Sequence, residues 1–295
     1  MVPKGFRPQY FNVIDESRNS MKFAIQGEPG SFSFEAAKNL NAEAEIVPLS
    51  LSAEVFAALT AGAVDAAVIP IENSLAGSVL EHFDLLLAND VRVEQETLLR
   101  IQHNLIALPS ASFQDIDRVF SHPVALAQCR RFLATHPAMR SVPAYDTAGS
   151  VKQLVETHDT RAAAIASKTA AQVYGARILE ANIEDNPENY TRFFLVRPAS
   201  QSSPEPNPNK ISIAFSVENR PGSLVAALSA LSAVGTNLTK IESRPVQGKP
   251  WEYIFYVDCQ IHSSDEGSRA LESLKPHCAM VKELGRYREA GRSRE

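Results

Sequence analysis

From Met21 to Pro198 short apolar runs alternate with amphipathic segments, the signature of parallel βαβ units. "MKFAIQG" predicts a first strand, and "EPGSFSFEAAKNL" after it a glycine turn with serines at a helix start. "VDAAVIP" predicts a second buried strand. "IENSLAGSVLEHFDLLLAND" then predicts a helix starting near Asn73 or Ser74, with Val79, Leu80, Phe83, Leu86 and Leu87 on one face. "RVFSHPVALAQCRRFLATH" repeats the scheme with Ser121 as N-cap and Pro123 in the first turn. "SVPAYDTAGSVKQLVE" repeats it with Asp146 or Thr147 as cap and Val151, Leu154 and Val155 inward, and "RAAAIASKTAAQVYG" adds a strand, a helix and a glycine stop.

At Pro198 the pattern changes. "RPASQSSPEPNPNK" carries four prolines and almost no apolar residues, so it reads as a linker. Beyond it come an alternating strand "ISIAFSVE", a helix "NRPGSLVAALSALSAVG", and strands at "NLTKIESRP" and "PWEYIFYVDCQI". A short helix "GSRALESL" and a last strand near "MVKELGRY" follow, giving the order βαββαβ of a ferredoxin-like unit. The expected organisation is a tail over 1–20, a first domain over 21–198 with its second lobe at about 99–178, a linker over 199–209, a second domain over 210–288, and a frayed tail over 289–295.

Composition narrows the function classes. A chain of 295 residues with 44% apolar content can build a full core. Its 29 basic and 34 acidic residues leave a net charge of -5, which speaks against nucleic acid. Three widely spaced cysteines, Cys129, Cys259 and Cys278, suggest neither a disulfide framework nor a zinc site and fit a reducing cytoplasm. No apolar run reaches the roughly 18 residues of a membrane span, and "MVPKGFRPQYFNVIDESRNS" lacks the apolar centre of a secretory leader.

The stretch "NPENYTRFFLV" sets a hydroxyl and a guanidinium where a polar loop becomes an apolar run. Strand alternation places Thr191, Phe193 and Leu195 on one face and Arg192, Phe194 and Val196 on the other. Read alone, this is a hydrogen-bonded threonine at a strand end beside a surface arginine. A second theme recurs at Ser31 to Ser33, Asn73 to Ser78, Ser121 to Pro123 and Thr147 to Ser150: a strand, a polar turn, then a helix N-terminus. Several such termini converging on one crevice hold an anion with few basic side chains, although caps of this kind occur in any α/β protein.

"GEPGSFSFEAA", "PIENSLAGSV", "SHPVALAQC", "YDTAGSVK" and "ENYTRFFLV", in this order and spacing, resemble the signature segments of prephenate dehydratases. "NRPGSL" and "NLTKIESRP...GKPWEYIFYVD" resemble the ACT regulatory domain that bacterial members carry. The resemblance implies an α/β catalytic domain of two lobes, similar to the type II periplasmic-binding-protein fold, followed by an α+β ACT domain. The activity it implies is conversion of prephenate to phenylpyruvate with loss of CO2 and water, in phenylalanine biosynthesis, with no metal or organic cofactor. Aromatisation drives that reaction, and a weakly acidic hydroxyl assists by hydrogen bonding to the departing oxygen as its charge grows.

Residue by residue, Thr191 matches the family's Thr-Arg-Phe threonine and is the expected donor, with Phe193 on its face excluding water. Arg192 is grouped with them, either anchoring a domain interface or reaching a substrate carboxylate from the strand end. Glu72, Asn73, Ser74, Ser121 and Gln128 match polar positions that line the cleft, and Thr147, Gly149 and Ser150 offer a further N-terminal anion nest. The competing reading is capping for Asn73, Ser74, Ser121 and the Thr147 turn, and a solvated helix residue for Gln128. Glu72 would repel an anionic ligand, so it is expected to orient a neighbour. His122, beside Pro123, is expected to be structural. Val124 stands where the family usually has Gln.

In the second domain the resemblance implies phenylalanine feedback inhibition in a homodimer or homotetramer, through Gly222, Ser223, Leu224, Glu242, Ser243, Arg244 and Pro245. A plain dimerisation domain is the alternative. For the whole chain, the rivals are arogenate dehydratase or a dual-substrate cyclohexadienyl dehydratase, and, in another class, a non-catalytic sensor of amino acids or carboxylates. The 20 residues before Met21 are too few for a fused chorismate mutase domain, so a monofunctional, cytoplasmic enzyme is expected.

Overall fold

The computed structural model describes residues 20–246, 248–249 and 251–291, so most of the expected N-terminal tail and the end of the C-terminal tail lie outside the described residues. The first lobe runs β1 (Lys22–Gln26), α1 (Phe32–Leu40), β2 (Glu45–Leu49), α2 (Ser52–Thr60), β3 (Ala66–Asn73), the two-residue β4 (Gly77–Ser78), α3 (Leu80–Ala88) and β5 (Val91–Arg100). The second lobe runs β6 (Asn104–Ala107), β7 (Arg118–Ser121), α4 (Pro123–Gln128), α5 (Arg130–Thr135), β8 (Arg140–Pro143), α6 (Thr147–Thr157), β9 (Ala162–Ala166), α7 (Lys168–Tyr174) and β10 (Arg177–Glu180). The chain then returns to the first lobe as β11 (Tyr190–Pro198).

The first sheet has the order β2-β1-β3-β11-β5, with β4 paired to β3, and the second the order β10-β6-β9-β7-β8. The strands β1, β2 and β3 are parallel, whereas β11 lies antiparallel between β3 and β5. Fully buried runs form the central strands: "AAVI" in β3 and "AAAIA" in β9, whose alanines let helices approach both faces. Two features differ from the sequence reading. The "VDAAVIP" strand is the second buried strand but the third in order, because it is preceded by β2, a half-exposed edge strand that contains Pro48 and lacks the continuous apolar run that would mark it in the sequence. The helix expected from Asn73 or Ser74 begins at Leu80, since Glu72 and Asn73 continue β3 and pair with Ser78 and Gly77 of β4.

The third unit comprises β12 (Lys210–Ser216), α8 (Ser223–Ala233), β13 (Asn237–Pro245), β14 (Tyr253–Gln260), α9 (Ser264–Leu274) and β15 (Met280–Tyr287). Its antiparallel sheet has the order β13-β14-β12-β15. Ile211, Ile213, Phe215, Val257 and Cys259 pack with Ala227 and Leu231 of α8 and Ala270 and Leu274 of α9. The other face does not meet solvent. Ala214, Tyr256, Leu284 and Tyr287 join Phe83, Leu86, Val93, Phe194 and Val196 in one core shared with the first lobe. The approach is close enough that a Cβ at Gly285 would stand 2.2 Å from the Val93 carbonyl oxygen. Lys282 Nζ donates to the carbonyls of Leu86, Leu87 and Asn89 at 3.0, 2.8 and 2.7 Å, closing the C-terminal end of α3.

Candidate functional site

The site begins in the ladder between β11 and β3. Thr191 lies opposite Asn73 and Arg192 opposite Glu72, with a register shift between Arg192 and Phe193 where Pro70 interrupts the pairing. Because side chains alternate, the Thr191–Asn73 pair faces the cleft and the Arg192–Glu72 pair faces the third unit. Phe193 and Leu195 pack in the core on the α1 side, and Phe194 and Val196 in the core shared with the third unit.

Asn73 fixes the polarity of the hydrogen bonds around the threonine. Its Oδ1 accepts from the backbone N–H groups of Leu75 and Ala76 at 3.0 and 2.8 Å. A backbone N–H only donates, so that oxygen cannot exchange places with the amide nitrogen. Nδ2 therefore donates to Asn189 Oδ1 at 2.8 Å and to Thr191 Oγ1 at 2.9 Å. Thr191 Oγ1 is an acceptor in this bond, which leaves its own proton free to be given elsewhere. Asn189 Nδ2 in turn donates to Gln128 Oε1 at 3.0 Å, and Gln128 Nε2 reaches Asn73 Oδ1 at 3.4 Å. Thr191 is only 8% exposed, so little water competes with these bonds.

Two adjoining cavities of about 420 and about 490 Å³ open over this ring. Phe32, Pro70, His122, Tyr145, Asp146, Thr147 and Thr191 line both. No lysine or arginine is among the lining residues of either. What faces the space instead is the start of three helices: Ser31 to Ser33 at α1, His122 to Ala125 at α4, and Thr147 at α6. These starts carry the positive ends of the helix dipoles, although Pro123 has no N–H, Val124 N–H is taken by His122 Nδ1, and the Asp146 carboxylate lines both cavities as well.

The lobes meet across the β1–α1 turn. Asp146, the N-cap residue of α6, makes no capping bond; its Oδ2 accepts from the Glu28 backbone N–H at 3.0 Å. Tyr145 donates to Glu28 Oε1 at 2.9 Å and Lys152 Nζ pairs with Oε2 at 3.1 Å. Ser167 Oγ donates to the Gly30 carbonyl at 2.6 Å, and a Cβ at Gly30, where φ is +84°, would lie 2.6 Å from Ala170 Cα. Glycine is required there by both the left-handed backbone and the contact.

The expected site residues divide. Asn73, Gln128, Thr147, Thr191 and Phe193 line the cavities. Ser121 does not: it is fully buried, its hydroxyl donates to the Ile165 carbonyl at 2.6 Å, and the N-cap of α4 is His122, whose Nδ1 accepts from Val124 N–H. The small hydroxyl at the end of β7 is turned inward by strand alternation, one residue too early to cap. Ser150 is also buried, bonding back to the Asp146 carbonyl at 2.7 Å, and Gly149 leaves room for the Tyr145 ring, whose hydroxyl a Cβ would approach to 2.7 Å. Ser74 bridges to the backbone of Glu188 and Tyr190 on the return crossover. His122 both caps α4 and lines both cavities, and the half-exposed Val124 stands at the rim of the smaller one.

Arg192 and Glu72 take no part in the cleft. Arg192 is 8% exposed and its Nη1 lies 2.6 Å from Asp258 and 3.0 Å from Glu96, with Nη2 3.4 Å from Glu72. Of the two roles expected for it, the interface anchor is the one observed, and it is not a surface residue. Burial opposes its charge, but Asp258 and Glu96 outweigh that and raise its pKa. Glu72 also pairs with Lys240 of β13 at 2.8 Å. The polar residues that the sequence did not name for the site are His103, Asn189 and Tyr145, with Asp146, which it named only as a cap. Asn189 lay inside the quoted "ENYTRFFLV" segment; His103 had no motif to mark it.

A two-lobed α/β domain with a polar ring at its cleft and a βαββαβ unit packed behind it defines the class: a small-molecule cleft domain joined to an ACT-type unit. The family model described as prephenate dehydratase matches residues 23–201, and that of the ACT domain matches residues 211–273. The chain belongs to the prephenate dehydratase family. It is 36% identical over 300 residues to arogenate dehydratase/prephenate dehydratase 2, chloroplastic, of Arabidopsis thaliana, covering 97% of this chain and 78% of that one. Among solved structures it is similar to prephenate dehydratase from Arthrobacter aurescens in complex with L-Phe, with TM-score 0.84, 31% identity and coverage of 92% of this chain and 90% of that one. It is also similar, with TM-score 0.84 and 32% identity over 93% of this chain and 100% of that one, to GqqA, titled a novel type of quorum-quenching acylase.

Proposed function

We infer that this enzyme converts prephenate to phenylpyruvate, CO2 and water, and that L-phenylalanine bound by the ACT domain controls it. The observation that carries the reading is the bond from Asn73 Nδ2 to Thr191 Oγ1 at 2.9 Å in the wall of a cavity. As the ring carboxylate leaves as CO2, its bonding electrons enter the ring and expel the ring hydroxyl. Thr191 donates to that departing oxygen while Asn73 disperses the charge that gathers on Oγ1, an interaction stronger in the transition state than before it. Phe193 and Phe32 keep the space dry, and the helix starts at Ser31, His122 and Thr147 hold the carboxylates.

The regulatory half of the reading draws on the relative crystallised with L-Phe. Gly222, Ser223 and Leu224 open α8 at the end of the sheet where Ser216 of β12, Ile254 of β14 and Arg244 of β13 lie side by side. Ser243 and Pro245 belong to the same end as candidate effector contacts. Glu242 and Arg244 face away from α8, accepting from Ser78 at 2.6 Å and pairing with Asp84 respectively, so their role is to transmit rather than to bind. Homo-oligomerisation through β13 is part of this reading, supported by its place at the edge of the sheet and by Ile241 at 48% and Val225 at 67% exposure. A cytoplasmic location fits three unpaired cysteines, and among the described residues no helix is long and apolar enough to cross a membrane.

Arogenate differs from prephenate by an ammonium in place of the side-chain keto group. Incubating the purified enzyme with each compound, and reading phenylpyruvate and phenylalanine separately, tests the substrate assignment: the expected result is a higher kcat/KM for prephenate. Turnover of neither compound overturns the catalytic reading. Calorimetry with phenylalanine tests the effector, and absence of heat in the oligomeric protein overturns that half.

A further inference from the structure

The ring around Thr191 continues to a residue outside any of the recognised segments. His103 sits on the crossover from the first lobe to the second, 2% exposed, with its ring edge-to-face on Phe32 at 5.6 Å between centroids. Its backbone is pinned on both sides, N–H to Glu184 Oε2 at 2.9 Å and carbonyl to Ile183 N–H at 2.8 Å, which are residues of the returning crossover. Its Nε2 lies 2.9 Å from Gln128 Oε1.

The polarity set by the backbone at Leu75 and Ala76 reaches this histidine. Asn73 must offer Nδ2 to Asn189, Asn189 must then offer its own Nδ2 to Gln128, and Gln128 must present Oε1 to both Asn189 and His103. His103 therefore carries its proton on Nε2; the other tautomer would set two lone pairs face to face. Were the Gln128 amide to rotate, its nitrogen would meet the Asn189 amide nitrogen, and the Asn73 contact would be lost. The Gln128 amide comes from the second lobe and Asn73 and Thr191 from the first, so its orientation is one point at which the lobe arrangement reaches the hydroxyl.

We propose that His103 is a positioning residue for the reaction: its Nε2–H locks the amide of Gln128, which holds the Asn189–Asn73 pair that directs the Thr191 hydroxyl into the cleft. The inference rests on Thr191 acting as the donor proposed above. Removing the N–H takes away one of the two donors that hold Gln128 Oε1 and leaves Asn189 alone to orient the amide, so the hydroxyl is aimed less firmly and the chemical step slows while binding at the helix starts stays intact. The burial that lowers the His103 pKa keeps the ring neutral, and either protonation state retains the Nε2 donor.

The test compares His103→Gln, His103→Asn and His103→Leu with Thr191→Ala, using prephenate turnover. Gln brings an amide N–H to about the place of Nε2, whereas Asn reaches only that of Nδ1. The expected outcome is that His103→Gln keeps kcat within a few-fold, while His103→Asn and His103→Leu lower it about 10- to 100-fold with KM changed only a few-fold. In the Gln128→Leu background His103→Leu then adds little, because its effect passes through Gln128. Equal kcat in the Gln and Asn variants, or additive losses in the double variant, overturns the proposal even if Thr191→Ala is inactive. A Thr191→Ala enzyme with near-unchanged kcat instead defeats the donor reading itself. Should His103→Leu fail to fold, the Gln and Asn pair decides the matter alone.

Discussion

Arg192 Nη1 stands 2.6 Å from Asp258 Oδ2, joining the strand that carries Thr191 to β14 of the ACT unit. Thr191 faces the cleft, and the next residue faces the ACT sheet. Glu72 repeats the relationship on β3, one residue before Asn73, by pairing with Lys240. Any shift of the ACT sheet relative to the first lobe is felt one residue away from both members of the Thr191–Asn73 pair.

Asp258→Asn should therefore separate effector binding from its consequence. Arg192 would retain Glu96 but lose its shortest ionic partner in a buried setting, a loss of about 3–5 kcal/mol where a buried pair is broken. The expected result is a lowered melting temperature, with phenylalanine still bound but its effect on kcat/KM reduced. Calorimetry and steady-state rates on the same preparation check it, and an unaltered phenylalanine response excludes this path.

Thr191→Ala should lower kcat by about 10²–10³, the range for removing one donor to a developing oxyanion. Thr191→Ser keeps the hydroxyl but frees its rotation, so an intermediate rate is expected. The thermal midpoint should barely move for Thr191→Ser and fall by only a few degrees for Thr191→Ala, which loses one buried hydrogen bond worth about 1 kcal/mol.

Gly30→Ala should impair both stability and turnover. The left-handed backbone costs a non-glycine residue about 1–2 kcal/mol, and the new Cβ would press on Ala170 across the lobe boundary. Thermal denaturation together with KM measures it: the lobes forced apart should raise KM, and a variant of unchanged Tm and KM contradicts the close contact.

Gly285→Ala makes the corresponding test behind the first lobe, where the Cβ would meet the Val93 carbonyl. Undocking of the ACT sheet is expected, seen as faster proteolysis near residues 199–209, which join the two units.

Acid should destabilise the fold through two histidines. Burial lowers the pKa of both His82 and His103 from the ordinary value of about 6.5. Below that value the unfolded chain takes up protons that the native state refuses, so stability falls as pH drops through about 6.5 and is unaffected by these groups above it. Chemical denaturation at several pH values between about 5 and 8 reads the slope, and His82→Gln should lessen it.

Local pattern reached far into this protein. Alternation in "TRFFLV" already put Thr191 and Arg192 on opposite faces, since a strand's period of two needs no partner to be read. The βαββαβ order and the helix starts at Ser31 and Thr147 followed from turn and cap chemistry within a few residues. What surrounds those faces was set elsewhere in the chain. Ser121 looked like a cap and proved buried, because one residue of register at the end of β7 decides which way it points. Arg192 looked exposed and proved to be held by Glu96 and Asp258, brought from positions 96 residues before it and 66 after it. His103 and Asn189 join the Thr191 ring only when the two crossovers run side by side. Sequence fixes which groups can donate and accept and how each strand and helix presents them; only the packed fold selects their partners, because a hydrogen bond requires atoms within about 3 Å that the chain places far apart.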